Sequence, residues 1–565
     1  MNGFLPTTKE ELTAASINQP DIIIVSGDVF IDSYYDGAAV IGRVLQDAGF
    51  SVGIISQPDI NSEKDISRLG EPKLFWGITA GLVDSMVANY TSLKKKKRLD
   101  DLTPAEQIHR RPDRATIVYT NLIKKYFKSR KPIILGGVEA SLRRIAHYDY
   151  WSDKVRRSVL FDAKADAIAY GMAEKTILQI ADRIKNNQDY REIRGLCYIA
   201  NNKIDKYIEL PSFEDVQNDK LKFIEMFHHF YRNNDPLNAE GLCQKHGNRW
   251  LIQNPPQYGP TVGELDYYHS LPYKRDVHPY YKQFGKVKAL ETIRFSVNTH
   301  RGCYGECNFC AITMHQGRTI YSRSEKSIIA DIKAMKKINR FKGIVTDLGG
   351  PTANMYGNSC KKQLTTGSCQ DKHCSFPDLC PAMNIDHRAQ VKLLKDTRKI
   401  EGIRKIFVGS GVRYDLVIAD EKAGREYFVE LVKEHISGQM KIAPEHTEEN
   451  VLKYMGKPSK KYLKKFKDEF YKYSKRVGKK QFLTYYFIAA HPGCEMTDMN
   501  TLNNFIKNEL KFNPEQVQVF NPTPSTYSTV MYYTELNPWT LKKIFVEKKL
   551  KKKAEQKNII TRKRR

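Results

Sequence analysis

The chain has 565 residues, 41% of them hydrophobic and 11% aromatic, enough apolar material for about three cored domains and too much for a disordered chain. Its formal net charge is +28, from 92 Lys and Arg against 64 Asp and Glu, and segment 541–565 alone carries +10. No run approaches the roughly 18 consecutive apolar residues of a membrane helix and the first residues lack a signal-peptide pattern, so the expectation is a cytoplasmic protein without a membrane partner.

In chain order, Asp21 to Val25 is an apolar β-branched run closed by Ser26, Gly27 and Asp28, and predicts a buried parallel strand. Helical spacing over Ala38 to Asp47 and a second strand over Val52 to Ile55 make a βαβ unit. Strands are also expected at Pro132 to Leu135, before Gly136-Gly137, and at Ala167 to Tyr170. Ligands of open parallel sheets sit at the carboxyl ends of the strands, here Gly27, Asp28, Gly136, Gly137 and Glu139. No G-x-G-x-x-G follows Val25, which argues against a dinucleotide. Residues 1–200 thus read as an open, doubly wound, Rossmann-like α/β domain.

Residues 201–288 carry charged stretches, Asn254-Pro-Pro256 and an aromatic-rich run, and are expected to be an irregular connector, with His269 and His278 as packing or surface residues. Strand and helix alternation resumes over 289–535, with strands at Ile293 to Asn298, Gly343 to Thr346, Lys405 to Val408, Gln439 to Ala443, Phe482 to Ile488 and Gln516 to Phe520. Six such units predict a complete or partial parallel barrel whose chemistry lies on the loops after the strands. The basic segment 536–565 is expected to be a disordered or frayed helical tail.

Ten cysteines in an intracellular chain are expected to be thiols or metal ligands rather than disulfides. Cys303, Cys307 and Cys310 form a C-x3-C-x2-C knot directly after the first barrel strand. Three thiolates can grip an iron–sulfur cubane and leave one iron open, whereas a closed zinc site needs a fourth ligand that does not follow at short spacing. Cys360, Cys369, Cys374 and Cys380 fall within 21 residues of an inserted polar segment, 354–386. Their spacing matches no standard zinc ribbon; a second metal site, free thiols or a redox disulfide all remain open.

The knot, with Phe309 before its last cysteine, resembles that of the radical S-adenosylmethionine superfamily. The strings Val297-Asn-Thr-His-Arg-Gly-Cys-Tyr-Gly-Glu-Cys-Asn-Phe-Cys-Ala311, Asp347-Leu-Gly-Gly-Pro-Thr-Ala-Asn-Met-Tyr356 and Ile442-Ala-Pro-Glu-His446 further resemble YgiQ-type (UPF0313) proteins of that superfamily. So do Ser26-Gly-Asp-Val-Phe-Ile-Asp32 and Gly136-Gly-Val-Glu-Ala-Ser-Leu-Arg-Arg144. The resemblance implies a partial (β/α)6 barrel after the N-terminal domain, a 4Fe-4S cluster on Cys303, Cys307 and Cys310, and S-adenosylmethionine on its open iron. It also implies reductive cleavage to a 5'-deoxyadenosyl radical and a reducing partner such as flavodoxin or ferredoxin.

By the same resemblance, Gly349 and Gly350 approach the cofactor's methionine amino group, with Pro351 where relatives of the superfamily carry a carboxylate. From their places after the third and fourth strands, Ser410 is expected to bond ribose, Arg413 the methionine carboxylate and Glu445 ribose or substrate, with loop turn chemistry and ion pairs within the protein as the alternatives, and Phe309 is expected to pack on the cofactor. Pro492-Gly493 resembles a turn near adenine, and Cys494 is expected to be a buried, inert thiol. Domain order in other radical enzymes weakly suggests a corrinoid on the N-terminal sheet. No catalytic residue or substrate follows; RNA, a peptide or another polyanion are candidates. The competing reading is a non-catalytic, metal-stabilised nucleic-acid-binding protein.

Overall fold

A computed structural model describes residues 3–108, 110–128 and 131–561. The chain divides into two compact units, one of residues 1–259 and 267–294, the other of residues 260–266 and 295–565. No helix among the described residues is long and apolar enough to cross a membrane.

The first unit is built on a nine-stranded sheet. Its parallel part comprises β1 (Ile22–Ser26), β2 (Val52–Ser56), β3 (Phe75–Thr79), β4 (Ile133–Gly136) and β5 (Ala167–Ala169), in the order β2-β1-β3-β4-β5. This is the doubly wound order whose switch point lies between β1 and β3. Every residue of β1 and β2 is buried, as their β-branched runs require of strands covered on both faces. Helix α1 (Gly37–Asp47) starts on the Asp36 carboxylate, which accepts from the Ala38 amide at 2.9 Å, and α2 (Glu174–Lys185) buries Ile177, Ile180 and Ala181 in the same core.

Strand β3 is absent from the sequence reading because Gly77 interrupts its short apolar run; Gly77 is the parallel register partner of Ile24 in the middle of the sheet. A larger difference concerns 201–288. In place of an irregular connector, β6 (Leu196–Ala200), β7 (Ile208–Leu210), β8 (Leu242–His246) and β9 (Arg249–Gln253) extend the sheet as β5-β6-β9-β8-β7. The cue was a two-residue Gly247-Asn248 turn joining β8 and β9, with His246 opposite Arg249 and Gly247 at φ +63. His269 is buried against Tyr34, and buried His278 caps a short helix at Pro279.

The second unit carries seven parallel strand segments in three short ladders, β10 (Ser296–Asn298), β11 (Ile344–Val345), β12 (Asp347–Gly349), β13 (Lys405–Ile406), β14 (Gln439–Glu445), β15 (Phe482–Ala489) and β16 (Gln516–Val519), and a separate antiparallel pair, His300–Arg301 with Tyr321–Ser322. Val297 faces Leu348, Ile344 faces Lys405, Met440 faces Leu483 and Phe487 faces Val517 in parallel register. A parallel bridge between Val412 and Ile442 carries the sheet from the β13 segment to β14. Segments β11 and β12 act as one interrupted second strand, so the unit is the expected six-stranded partial barrel. The first strand is shorter than expected, since Ala289–Ile293 is helical.

Helices cover its outer face. The longest, α3 (Lys460–Arg476), buries Leu463, Phe466, Phe470 and Tyr473 at helical spacing. Of the two readings of the tail, disordered or frayed helical, residues 550–561 take the helical one, and the helix is packed rather than frayed. There α4 (Leu550–Thr561) packs on the barrel through Lys553, Gln556 and Ile560, three residues on one stripe that are all buried. The lysine-rich composition hid this stripe, since Lys553 reads as a solvated charge but stacks its ammonium 4.4 Å from the Tyr532 ring. Arg562 to Arg565, also assigned to that tail, lie outside the described residues.

Candidate metal centre and cofactor site

The knot follows β10 and the short strand His300–Arg301, and residues 302–310 are themselves turn and loop. Gly302 has φ +85, and a Cβ there would fall 2.0 Å from the Thr319 carbonyl oxygen, so only glycine fits. Asn308 pins the far side: its amide donates to Met455 O at 2.9 Å and its Nδ2 to Tyr454 O at 2.9 Å. The three thiols are half-buried, and Cys310 N donates to Cys307 O at 2.9 Å.

Burial, then the neighbouring thiols Cys307 and Cys303, push the Cys310 thiol up to about 12; burial and Cys307 also raise Cys303. Raised thiols at Cys303 and Cys310 are a poor apo arrangement, and a cationic iron–sulfur core beside them would reverse that penalty. Arg413 supplies a fixed cation beside them, and its Nη1 lies 2.5 Å from where a Cβ on Gly305 would stand. The residues fit a thiolate-held cluster.

Arg413 and Ser410 are placed differently from the sequence reading. Burial works against the Arg413 charge, but Asp415 holds its guanidinium well above the usual range. The fork is closed on that carboxylate, Nε to Oδ1 at 2.8 Å and Nη2 to Oδ2 at 2.5 Å. The edge formed by Nε and Nη2 is thus paired within the protein, and Nη1 is turned toward the knot. Ser410 likewise donates its hydroxyl to Asp347, which also accepts the Gly409 amide at 2.8 Å and the Ser410 amide at 3.1 Å. The expected ribose contact is therefore already committed to Asp347, two residues before Gly349.

Gly349 and Gly350 do lie at the end of β12, at the mouth. The Gly349 carbonyl, however, accepts from the Thr299 amide at 2.7 Å and its hydroxyl at 3.0 Å, which uses both lone pairs. Gly350 lies against the His300 ring, with a hypothetical Cβ 2.6 Å from Cε1. His300 was quoted in the motif but not singled out. It is 1% exposed, its Nδ1 faces the Thr299 hydroxyl at 2.9 Å and its Nε2 has no hydrogen-bond partner among the described residues. Pro351 follows, half-buried, and Thr352 brings its hydroxyl to 3.7 Å from Cys303 Sγ.

Glu445 ends β14 in the left-handed region at φ +67, a conformation that costs a non-glycine residue and that recurs where backbones are bent for function. Burial raises its carboxyl, Lys457 partly offsets this, and its charge is felt at Cys310. Phe309 packs at the edge of the barrel core, 6.2 Å from the His491 ring in edge-on contact. Cys494 is fully buried and burial drives its thiol up, with Sγ 3.7 Å from His446 Nε2. The structure thus gathers Cys303, Cys307, Cys310, Arg413 and Glu445 about one loop.

The carboxyl ends of β1 and β3 give a contrasting result. A Cβ on Gly27 would lie 2.3 Å from Ala80 O, and Asp28 is buried in ion pairing with Arg111, which also holds Asp100 at 2.9 Å. Glu139 accepts from the amides of Ser85 at 2.8 Å and Thr116 at 3.1 Å and from both hydroxyls. Arg144 is clamped between Tyr170 and Phe230, each 4.4 Å away. Of the positions expected to meet a ligand, Gly27, Asp28 and Glu139 are thus committed to the protein's own groups.

With this geometry in hand, comparison with known proteins adds the family. The family model described as radical SAM N-terminal matches residues 4–296, and a domain of unknown function, DUF3362, matches residues 515–565. A UPF0313 protein of Fusobacterium nucleatum is 53% identical over 562 residues, covering 99% of both chains. One from Methanocella arvoryzae is 47% identical, covering 97% of this chain and 91% of its own. The chain belongs to the UPF0313 family of radical S-adenosylmethionine proteins. Among solved structures, the radical S-adenosylmethionine methyltransferase TsrM from Kitasatospora setae, with cobalamin and a [4Fe-4S] cluster bound, matches with a TM-score of 0.51. The match has 12% identity over 90% of this chain and 77% of that one, a likeness of fold.

Proposed function

We propose that this UPF0313 protein is an enzyme that reductively cleaves S-adenosylmethionine at a 4Fe-4S cluster held by Cys303, Cys307 and Cys310. When bound, the cluster supplies an electron and an open iron at which the sulfonium is split to methionine and a 5'-deoxyadenosyl radical. The observation that carries this reading is the placement of three thiols, close enough to feel one another's charge, on one glycine-kinked loop beside the Arg413 cation and after the first strand of a parallel barrel.

The chain's own groups have separable tasks in this reading. Asn308 and Gly302 fix the loop, so the thiols need not be ordered at each turnover. Arg413, neutralised on one side by Asp415, offsets the negative charge of three thiolates without giving up a proton. Gly350, Pro351 and Glu445 line the mouth where the nucleotide would be held, and Phe309 closes it on the barrel side. A low-potential electron carrier of the flavodoxin or ferredoxin type is the partner this chemistry needs. The surplus of 28 positive charges favours a polyanionic substrate such as RNA over a peptide.

The test is anaerobic reconstitution with iron and sulfide followed by reduction in the presence of S-adenosylmethionine. The expected outcome is a reducible cluster and equimolar 5'-deoxyadenosine and methionine, with both products lost in Cys307→Ala. A colourless, zinc-loaded protein that yields neither product would instead support a non-catalytic nucleic-acid-binding role.

A further inference from the structure

The second cysteine group is not absorbed by this chemistry. Cys360, Cys369, Cys374 and Cys380 belong to a stretch whose regular structure is one six-residue helix, Lys361–Thr366, and which is closed at its base by an antiparallel bridge between Ser359 and Asn384. Such a stretch has little with which to hold itself together. Leu364 is 54% exposed, and much of the remainder is glycine, proline and charge.

Its buried material is largely sulfur. Cys360 and Cys374 lie in a small core with Tyr304, Met355, Met383 and Leu416, and Cys380 packs against them. All four are free thiols. The sulfurs of Cys360, Cys374 and Cys380 thus share one small core. Beside them, His373 Nδ1 is buried without a hydrogen-bond partner among the described residues. Gln363 Nε2 donates to Cys374 Sγ at 3.3 Å, and the Cys380 amide to Cys374 O at 2.9 Å, contacts of the kind that orient a ligand sulfur.

We propose that Cys360, Cys369, Cys374 and Cys380 hold a second metal centre, iron–sulfur or zinc, that folds this segment. Four soft thiolates select such a metal over hard cations. Among the described residues no group of three or more His, Cys, Asp or Glu side chains is gathered tightly enough to hold a single ion, so the thiols close when metal is taken up, as short cysteine-rich segments do. The centre would adjoin the first knot. Arg318 Nη1 donates to Cys369 O at 3.0 Å and pairs with Glu306 at 3.1 Å, and the Ser375 hydroxyl donates to Gly305 O at 3.0 Å. A metal that orders this segment therefore also braces the loop carrying Cys303 and Cys307.

The proposal does not depend on cleavage of S-adenosylmethionine, and its test reads metal. Iron, sulfide and zinc are measured per chain in the full-length protein purified without oxygen, in a Cys303→Ala/Cys307→Ala/Cys310→Ala variant, and in that variant with Cys374→Ser and Cys380→Ser added. The expected result is that the triple variant keeps one centre, either about one zinc or about four irons with matching sulfide, and that the two serines remove it. Either metal supports the proposal and the assay tells them apart. A triple variant with native circular dichroism and no stoichiometric metal overturns it, as does a disulfide among the four thiols in the wild type. Should the triple variant not fold, alkylation of the native wild-type protein decides: the four thiols resist the reagent until metal is stripped, and modification without metal release overturns the proposal.

Discussion

At the residue scale the most consequential side chain is Arg413. Its fork is closed on Asp415, 1% exposed, so one buried charge exists on the strength of the other. Asp415→Asn keeps the shape and removes the compensation. Breaking one side of a buried pair costs about 3–5 kcal/mol, so the unfolding midpoint should fall markedly in a thermal melt. Arg413→Met with Asp415→Leu should regain much of that stability, because the pair's desolvation cost disappears with it. If Arg413 also serves the cysteines, the double variant melts like the wild type yet retains less iron after reconstitution. Equal iron in both would show that the pair is structural. Ser410 carries the same lesson. Its place after the third strand is legible in the sequence, but its commitment to Asp347, 63 residues away, is a fact of packing.

At the element scale, α4 and the β1–β3 switch point each revise an expectation. Gln556 on α4 accepts the Ala490 amide at 2.9 Å and donates to Cys494 O at 3.1 Å, holding the turn after β15, where Ala490 sits at φ +59. Gln556→Ala should cost about 1–3 kcal/mol by stranding a buried amide. Truncation after Lys549 should lower the unfolding midpoint further and reduce cluster retention, where removing a free tail would change only salt-dependent polyanion binding. In the first unit the Asp28–Arg111–Asp100 network fills the switch point. Incubation with hydroxocobalamin and desalting should leave no stoichiometric cobalt on the chain, and one cobalt per chain would show that this network opens. The βαβ pattern was legible because hydrophobic runs and turn residues are local. The hairpin of β8 and β9 was missed because charge masks its alternation, although Gly247-Asn248 marks its turn.

At the scale of the whole molecule, burial disfavours protonation of five of the nine buried imidazoles among the described residues. Burial pulls His147 down to about 4 and His246, His300, His446 and His491 to about 3. Each folded value lies below that of an unfolded histidine, near 6.5, so between the two the unfolded chain binds more protons. Their contribution is whole above about pH 6.5 and is lost as pH falls toward 3, at up to about 1.4 kcal/mol per pH unit per imidazole. Urea midpoints from pH 7.5 to 4.5 should therefore drop steeply. A flat profile over that window would show that these rings take up protons while folded.

The sequence by itself determined the knot, the order of strands and helices in the barrel, and the family, since each is written in neighbouring residues: three cysteines within eight positions, period-2 and period-3.6 runs, and glycine turns. Only the tertiary structure decided which polar groups remain open to a ligand. Asp347 claims Ser410, Asp415 claims Arg413, Arg111 claims Asp28, and Tyr532 draws Lys553 out of solvent. A buried charge or hydroxyl must find a partner wherever the fold supplies one, and most of these partners lie far along the chain, where no local pattern reaches.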